Sequence, residues 1–543
     1  MDEERGGPIA RRVGLALGAL LFVGFLVAPG LPLDAMQRRV AAVTALTASL
    51  WLTVAIPVGA ASLVPAALFP LLGVLTAREV APIYLRDLVM LFLGAFVVAL
   101  GLERWGVHRR IALAVIHAVG SSRRRLVLGF MAASAFLSMW INNTATTLLM
   151  LPIVAAVLSR VEEDTAAGTG DRDDRFAWCL LLGVAYCASV GGMGTPVGTA
   201  PNQEFLGQFQ ELFPDGPRLT FGDWFLSFAP LVALFVPIAW LVMTRVVYRF
   251  EDVRGSGREA IAEERSALGK MSTAERRMAA VFVATAVLWV FRADLRLGGF
   301  VVPGWSRLLL GPEASDPSWY AIHKNDISDA TVATAMAILL FVIPSGQGSS
   351  GQGSTGQGST GQGSSGGREA ADGRFLMNWR TASRIPWEVL LLLGGGFCLA
   401  HAFKVSGLDR VIGGGLAPML VDRPTWFIVG AVALAVSLLT ELTSNTATTA
   451  VLLPVLAAAA TTAGLDPLLV MLPATIAASA AFMMPVATPP NAVVFATRRI
   501  PVPAMARAGV WLNLLMVALL TLVFEVWVRP RFGIDGTLPA WAR

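Results

Sequence analysis

Long apolar stretches alternate along this chain with short connections that carry most of its charge. A bilayer-spanning helix needs about 20 mostly apolar residues. Val13–Pro29, Val40–Pro57, Ala61–Thr76, Leu88–Glu103, Phe176–Asn202 and Trp224–Thr244 fit that length approximately in the first half. Met278–Val290, Ile327–Pro344, Trp387–His401, Leu468–Thr497 and Met505–Val528 do so in the second. Two further apolar stretches hold a polar cluster in mid-run. Leu126–Ser159 has no charged residue, is long for one helix, and suits two half-length helices folded back at Asn142-Asn143. We therefore expect re-entrant hairpins at 126–159 and 424–464, since non-helical backbone is tolerated at membrane depth where it lines a cavity. The alternative is one steeply tilted helix in each place.

Composition turns this pattern into a class. Of 543 residues, 55% are hydrophobic and 15% charged, with mean hydropathy +0.65. Soluble domains carry roughly 25% charged residues, so the chain is expected to be an all-α integral membrane protein with about eleven transmembrane helices. The net charge of +5 sits in the connections and gives no reason to expect nucleic acid. With the N-terminus inside, Arg104, Arg109, Arg110, Arg123–Arg125, Arg245–Arg277, Arg368–Arg384 and Arg498-Arg499 fall on the cytoplasmic side, as the positive-inside rule asks. Leu31–Gln37 lacks a convincing cleavage site, so Val13–Pro29 is expected to be a first membrane helix rather than a signal peptide. Cys179, Cys187 and Cys398 lie in apolar segments without CxxC spacing and read as small core residues. The four histidines form no metal-binding pair.

The polar clusters are related. Ser138–Pro152 reads SMWINNTATTLLMLP and Thr440–Pro454 reads TELTSNTATTAVLLP, sharing Asn-Thr-Ala-Thr-Thr and a following Leu-Pro. Two more anchors recur in the same order. Gly94-Ala95-Phe96 matches Gly395-Gly396-Phe397, and Pro196–Asn202 (PVGTAPN) matches Pro485–Asn491 (PVATPPN). By the span count the first anchor runs inward in one half and outward in the other, which predicts an inverted repeat with a site where its halves meet. The expected organisation is 1–37 as N-terminus and first helix, 38–250 as first repeat, 251–277 as cytoplasmic connection, 278–528 as second repeat and 529–543 as extracytoplasmic tail. The GQGS-repeat tract Ser345–Gly367 has nothing to bury, and 345–374 is expected to be a disordered cytoplasmic tether.

Amides and hydroxyls inside apolar spans are costly without partners and mark a site. Pro196, Pro201, Pro485, Pro489 and Pro490 remove amide donors and free carbonyl oxygens. Those carbonyls, with Asn143, Asn445, Ser138 and Thr440 oxygens, suit a hard monovalent cation such as sodium. Exposed amides at half-helix starts, with Thr144, Thr446, Thr199 and Thr488, suit the oxygens of an anion. None of the four motifs contains Lys or Arg, so a doubly charged anion would depend on helix dipoles and co-bound cations, a reason to expect ion coupling. Glu441, the one charge inside the second hairpin, reads either as a carboxylate behind a cation site or as a cap on a half-helix. Trp140, Trp387 and His401 read as packing or structural residues.

These motifs resemble the divalent anion/sodium symporter family of sodium-coupled dicarboxylate, citrate and sulfate carriers. Asn142-Asn143-Thr144 and Ser444-Asn445-Thr446 correspond to its paired Ser-Asn-Thr motifs. Trp387–Phe397, Phe482–Phe495 and Gly191–Asn202 are also similar to the family. The resemblance implies a homodimer in the bilayer, each protomer with a scaffold domain and a transport domain moving as an elevator. It implies one sodium site at Ser138, Asn142, Asn143 and Gly198, and a second at Thr440, Ser444, Asn445 and Ala487. Substrate carboxylates would meet Asn143, Thr144, Thr199, Asn445, Thr446, Thr488 and Pro489. Asn142 stands where the family usually has Ser, and Ala200 where Pro is frequent. The expected activity is sodium-coupled symport of C4-dicarboxylates such as succinate, malate or fumarate, with co-transported sodium ions. Sodium-independent exchange, or a citrate (tricarboxylate) or sulfate substrate, is the alternative within the same fold. A channel or a transport-dead sensor lacks specific support, and no metal dyad, nucleophile elbow or P-loop points to an enzyme.

Overall fold

The computed structural model describes residues 8–28, 30–120, 122–164, 174–252, 258–297, 300–324, 326–346 and 374–543. Most of the expected GQGS tether lies outside the described residues. Helices dominate, with one small ribbon in which Leu295–Leu297 pairs antiparallel with Phe300–Val302. Among the described residues, seven helices are long and apolar enough to cross a membrane: Ala77–Arg104, Asn143–Glu162, Asp174–Gly192, Phe221–Val247, Trp387–Ser406, Asn445–Thr462 and Val502–Phe532. Shorter apolar helices include Val58–Leu71, Asp329–Val342, Thr425–Thr440 and Leu468–Ala478. Their starts are set locally. Asp34 with Gln37, Thr76 with Glu79, Thr220 with Asp223 and Ser272 with Glu275 form capping boxes, which satisfy amides that have no partner inside the helix.

The chain divides into two units. The smaller comprises 90–111 and 263–386. Within it helix Thr273–Val290 packs on Asp329–Val342, and Gly94 lies so close to Ala333 that an added Cβ would come within 2.5 Å of its backbone. Arg110 binds Glu275 through two nitrogens, at 2.7 and 3.1 Å, and also the carbonyls of Leu268 and Gly269. Arg292 is paired with Asp329 and donates to the Ile327 carbonyl.

The larger unit comprises 1–89, 112–262 and 387–543 and contains both hairpins. The first runs Arg123–Ser138, a turn, then Asn143–Asp164; the second runs Thr425–Thr440, a turn, then Asn445–Thr462. Each stretch is therefore two helices joined by a turn rather than one continuous helix, and the second arms, Asn143–Glu162 and Asn445–Thr462, each reach the length of a membrane span. Three of the expected spans are interrupted. Phe176–Asn202 is helical only to Gly192, and a new helix starts at Ala200 and runs to Leu212. Leu468–Thr497 is helical to Ala478 and again over Pro489–Phe495. The breaks fall at the prolines flagged in the sequence. The helix after the first break extends well beyond Asn202, and its polar residues Gln203, Glu204 and Gln208 are buried. Ala61–Thr76 is likewise split, into Val58–Ala61 and Val64–Leu71.

Each hairpin's first arm packs on the first segment of its own broken helix, and Asp174–Gly192 and Leu468–Ala478 form the buried centre of the unit. Gly191 allows that approach: a Cβ there would lie 2.1 Å from the Ala135 carbonyl oxygen. Small residues serve this purpose between membrane helices generally. Outward-facing positions on Phe221–Leu241 and Val502–Val523, such as Leu234, Trp511, Leu514 and Leu522, are exposed and apolar, as expected of surfaces that meet lipid.

Candidate functional site

Both breaks are braced the same way. Asn202 Nδ2 donates to the Gly192 and Thr195 carbonyls at 2.9 and 2.8 Å; Asn491 Nδ2 donates to those of Ala481 and Met484 at 3.1 and 3.0 Å. In each case the acceptors lie ten and seven positions upstream. One amide thus closes a loop that the prolines have opened. Thr199 and Thr488 precede the restarted helices in matching extended conformations, φ −146° ψ 147° and φ −138° ψ 150°. Pro201, Pro489 and Pro490 then occupy first-turn positions, where the missing amide costs nothing.

The hairpins and breaks interlock across the halves. The helix starting at Asn143 packs against the one starting at Pro489, and the helix starting at Asn445 packs against the one starting at Ala200. Each pair thus joins a helix of one half to a helix of the other, and each of the four helix starts carries a partial positive charge with free amides.

The first residue set converges. Ser138 Oγ lies 2.7 Å from Asn143 Oδ1. The end of that amide is also 3.2 Å from the carbonyl oxygens of Gly198 and Ala188. Gly192 lies at the centre: a Cβ there would meet Asn143 Oδ1 at 2.7 Å, Gly198 O at 3.0 Å and Thr199 Cβ at 3.0 Å. Two arrangements satisfy such a group. The amide nitrogen can turn inward and donate to all three oxygens, or its oxygen can join them around a cation. Asn142 stands apart from this cluster. It is exposed at the hairpin tip, and its Oδ1 accepts the Thr144 amide at 2.8 Å.

The second set is looser among the described residues. Thr440 is buried, with its hydroxyl donating to the Ser437 carbonyl at 3.1 Å. Asn445 Oδ1 is buried without a partner. Ser444 and Pro489 are exposed, Thr144 and Thr446 half-buried, and Ala487 and Thr488 buried. Thr488 Oγ1 accepts the Asn491 amide at 3.3 Å.

Glu441 binds unwound backbone rather than the start of a helix. Its oxygens accept the amides of Phe482 at 2.7 Å, Met483 at 2.9 and 3.0 Å, and Met484 at 3.0 Å, and also Asn513 Nδ2 at 2.7 Å. The carboxylate thereby holds the unwound stretch of the second broken helix beside Thr440. The matching position in the first hairpin is Met139, whose carbonyl accepts from Thr195 Oγ1. Trp140 stacks on Phe221 at 5.9 Å. His401 is bound to Glu211, which also pairs with Arg86. Sequence reasoning missed that Glu211, with Arg86, Asp87 and Arg218, lines a cavity of about 320 Å³. It also missed Asn513 and the buried acid Glu204. A carboxylate beyond the assumed end of a span leaves no periodic signal of burial.

Comparison with known proteins gives the family. Residues 11–534 match the sodium:sulfate symporter transmembrane region. The chain is 34% identical over 542 residues to the sodium-dependent dicarboxylate transporter SdcS of Staphylococcus saprophyticus, covering 99% of this chain and 95% of that one. It is 34% identical over 532 residues to SdcS of Staphylococcus aureus, covering 97% and 93%. In fold it is similar to the YdaH transporter of Alcanivorax borkumensis, with TM-score 0.53, 14% identity and coverage of 84% and 87%. MtrF of Neisseria gonorrhoeae is similar too, with TM-score 0.55, 14% identity and coverage of 95% and 94%. This chain therefore belongs to the sodium:sulfate symporter family and is a multi-pass membrane transporter rather than an enzyme.

Proposed function

We propose that this protein carries C4-dicarboxylates such as succinate, malate or fumarate across the cell membrane together with sodium ions. The carrying observation is the convergence of Ser138 Oγ and the carbonyl oxygens of Gly198 and Ala188 around the end of the Asn143 amide. Uncharged oxygens gathered in a buried place suit a hard monovalent cation. The relatives' description as sodium-dependent dicarboxylate transporters supports the same reading. Substrate carboxylates would meet Asn143, Thr144, Thr199, Asn445, Thr446, Thr488 and Pro489, where helix N-termini supply amides. Glu441 adds negative charge behind the second set, which favours a cation at Thr440, Ser444, Asn445 and Ala487 and opposes an anion arriving alone. Binding is thus coupled: each cation offsets charge that the motifs leave unopposed. The repeated bracing of the two breaks supports an internal repeat, while its inversion and the eleven spans rest on the sequence pattern. A homodimer with an elevator movement of the hairpin-bearing part is the working mechanism.

One observation favours a second reading. The Asn142 side chain is occupied by the Thr144 amide, which weakens the first cation set and suits sodium-independent exchange. Succinate uptake into proteoliposomes separates the two. Uptake should collapse when choline replaces sodium. Uptake that is unchanged in choline, yet driven by internal dicarboxylate, would establish exchange instead; parallel citrate and sulfate fluxes fix the substrate class.

A further inference from the structure

The helix Ala200–Leu212 holds an acid for which neither cation set has a use. Glu204 is wholly buried. Its Oε1 accepts a hydrogen bond from Gln208 Nε2 at 2.6 Å, and its Oε2 has no hydrogen-bond partner. The same Gln208 nitrogen donates to the Ala450 carbonyl at 2.8 Å. One amide therefore ties Glu204 to the helix that begins at Asn445. Room for the carboxyl group is made on the facing helix Trp387–Ser406, where a Cβ on Gly396 would lie 1.7 Å from Glu204 Oε1.

Among the described residues, no charge compensates it. Helices Asn445–Thr462 and Leu468–Ala478, which pack on Ala200–Leu212, contain no titratable residue. On Trp387–Ser406, Glu388 lies against Gly59, His401 against Glu211, and Lys404 against the Leu212 carbonyl. Buried Cys398 is the remaining titratable group on that helix. On its own helix Glu211 is taken by Arg86 and His401. On Phe221–Leu241, whose Trp224 packs on Phe205, Asp223 is paired with Arg531. An isolated carboxylate in such a place is far costlier than the neutral acid. A metal cation would need several oxygen donors, whereas Glu204 Oε2 and Gln208 Oε1 are the unpartnered oxygens of this pair.

We propose that Glu204 is a proton-binding site, and that its proton holds together the helices that begin at Ala200 and Asn445. Removing the proton places an uncompensated negative charge between them and draws water into their interface. Transport is then intact while the proton is bound and is lost as pH rises through its titration. The site goes beyond sodium coupling and rests on the dicarboxylate reading only for its flux readout.

The test uses full-length protein in proteoliposomes, with succinate flux followed at saturating sodium above about pH 7, where a dicarboxylate is fully ionised. Wild-type flux should fall about tenfold per pH unit beyond the midpoint. Glu204→Gln, which mimics the neutral acid, should transport and stay flat over the same range. Infrared spectra of the purified protein give an independent readout: a protonated-acid carbonyl band at neutral pH, absent in Glu204→Gln and lost from wild type in alkali. An alkaline fall that persists unchanged in Glu204→Gln would overturn the proposal. So would a carboxylate ionised at every pH, whether or not the variant alters sodium dependence. Because the infrared band is read without any flux, failure of succinate transport itself would leave this test intact.

Discussion

Asn445 and Glu441 sit four positions apart and do different work. Asn445 has a buried amide oxygen with nothing bound to it, the mark of a group kept for a ligand. Asn445→Ala should abolish succinate uptake while leaving the protein folded by size exclusion and thermal melting; normal uptake would mean the site lies elsewhere. Glu441 has its oxygens fully engaged by three backbone amides and Asn513. Glu441→Ala removes the carboxylate acceptor of the Met483 and Met484 amides and of Asn513 Nδ2, at about 1–3 kcal/mol for a donor left unpaired. A lowered melting temperature in detergent is expected, with Glu441→Gln intermediate. Asp466, in the connection after the second hairpin, offers a check by pH. It caps Leu468 at 2.8 Å, and burial pushes its carboxyl up from 3.8 to about 6. The folded state thus keeps a proton that the unfolded chain gives up, so stability falls as pH rises from about 4 to about 6. Asp466→Asn keeps the cap and removes that slope. It should be more stable than wild type by about 1–3 kcal/mol at pH 7, with the gain vanishing in acid.

Among the elements, the turns at Asn142 and Ser444 and the two helix breaks were legible in the sequence. Charge-free length, mid-run Asn-Asn or Ser-Asn, and prolines at matching positions marked where helices cannot continue. What those signals lacked was the restart. Helix Ala200–Leu212 is rich in Gln and Glu, so its sequence resembles a loop leaving the membrane, and only its burial against neighbouring helices shows otherwise. Close approach between the elements depends on glycine. Gly191→Ala would push helices Arg123–Ser138 and Asp174–Gly192 apart, since the Ala135 carbonyl is backbone and cannot move aside. Overpacking of this kind costs about 1–3 kcal/mol and should disturb the Asn143 cluster one turn away. Both the melting temperature and the sodium dependence of uptake should suffer; a variant indistinguishable from wild type would contradict that packing.

For the whole molecule, matching sequence anchors did not always mean matching surroundings. Gly94 packs against Ala333 in the smaller unit, whereas Gly394, Gly395 and Gly396 meet Tyr84, Ser62 and Glu204 in the larger. The GQGS tract enters here only through composition. Deleting 346–366 should leave uptake within about twofold of wild type, because those residues have no apolar side chains to bury; a large loss would reveal a docking role. Apolar length and charge placement determined by themselves that this is a helical membrane protein, and the repeated motifs marked two polar clusters within it. Those properties depend on transfer from water to lipid, which acts on each stretch of chain separately. The tertiary structure alone decided that Glu441 binds unwound backbone, that Asn142 is spent on its own hairpin, and that Glu204 is sealed away without a counter-charge. Each depends on which distant atoms fill the space around a side chain, and no local pattern records that.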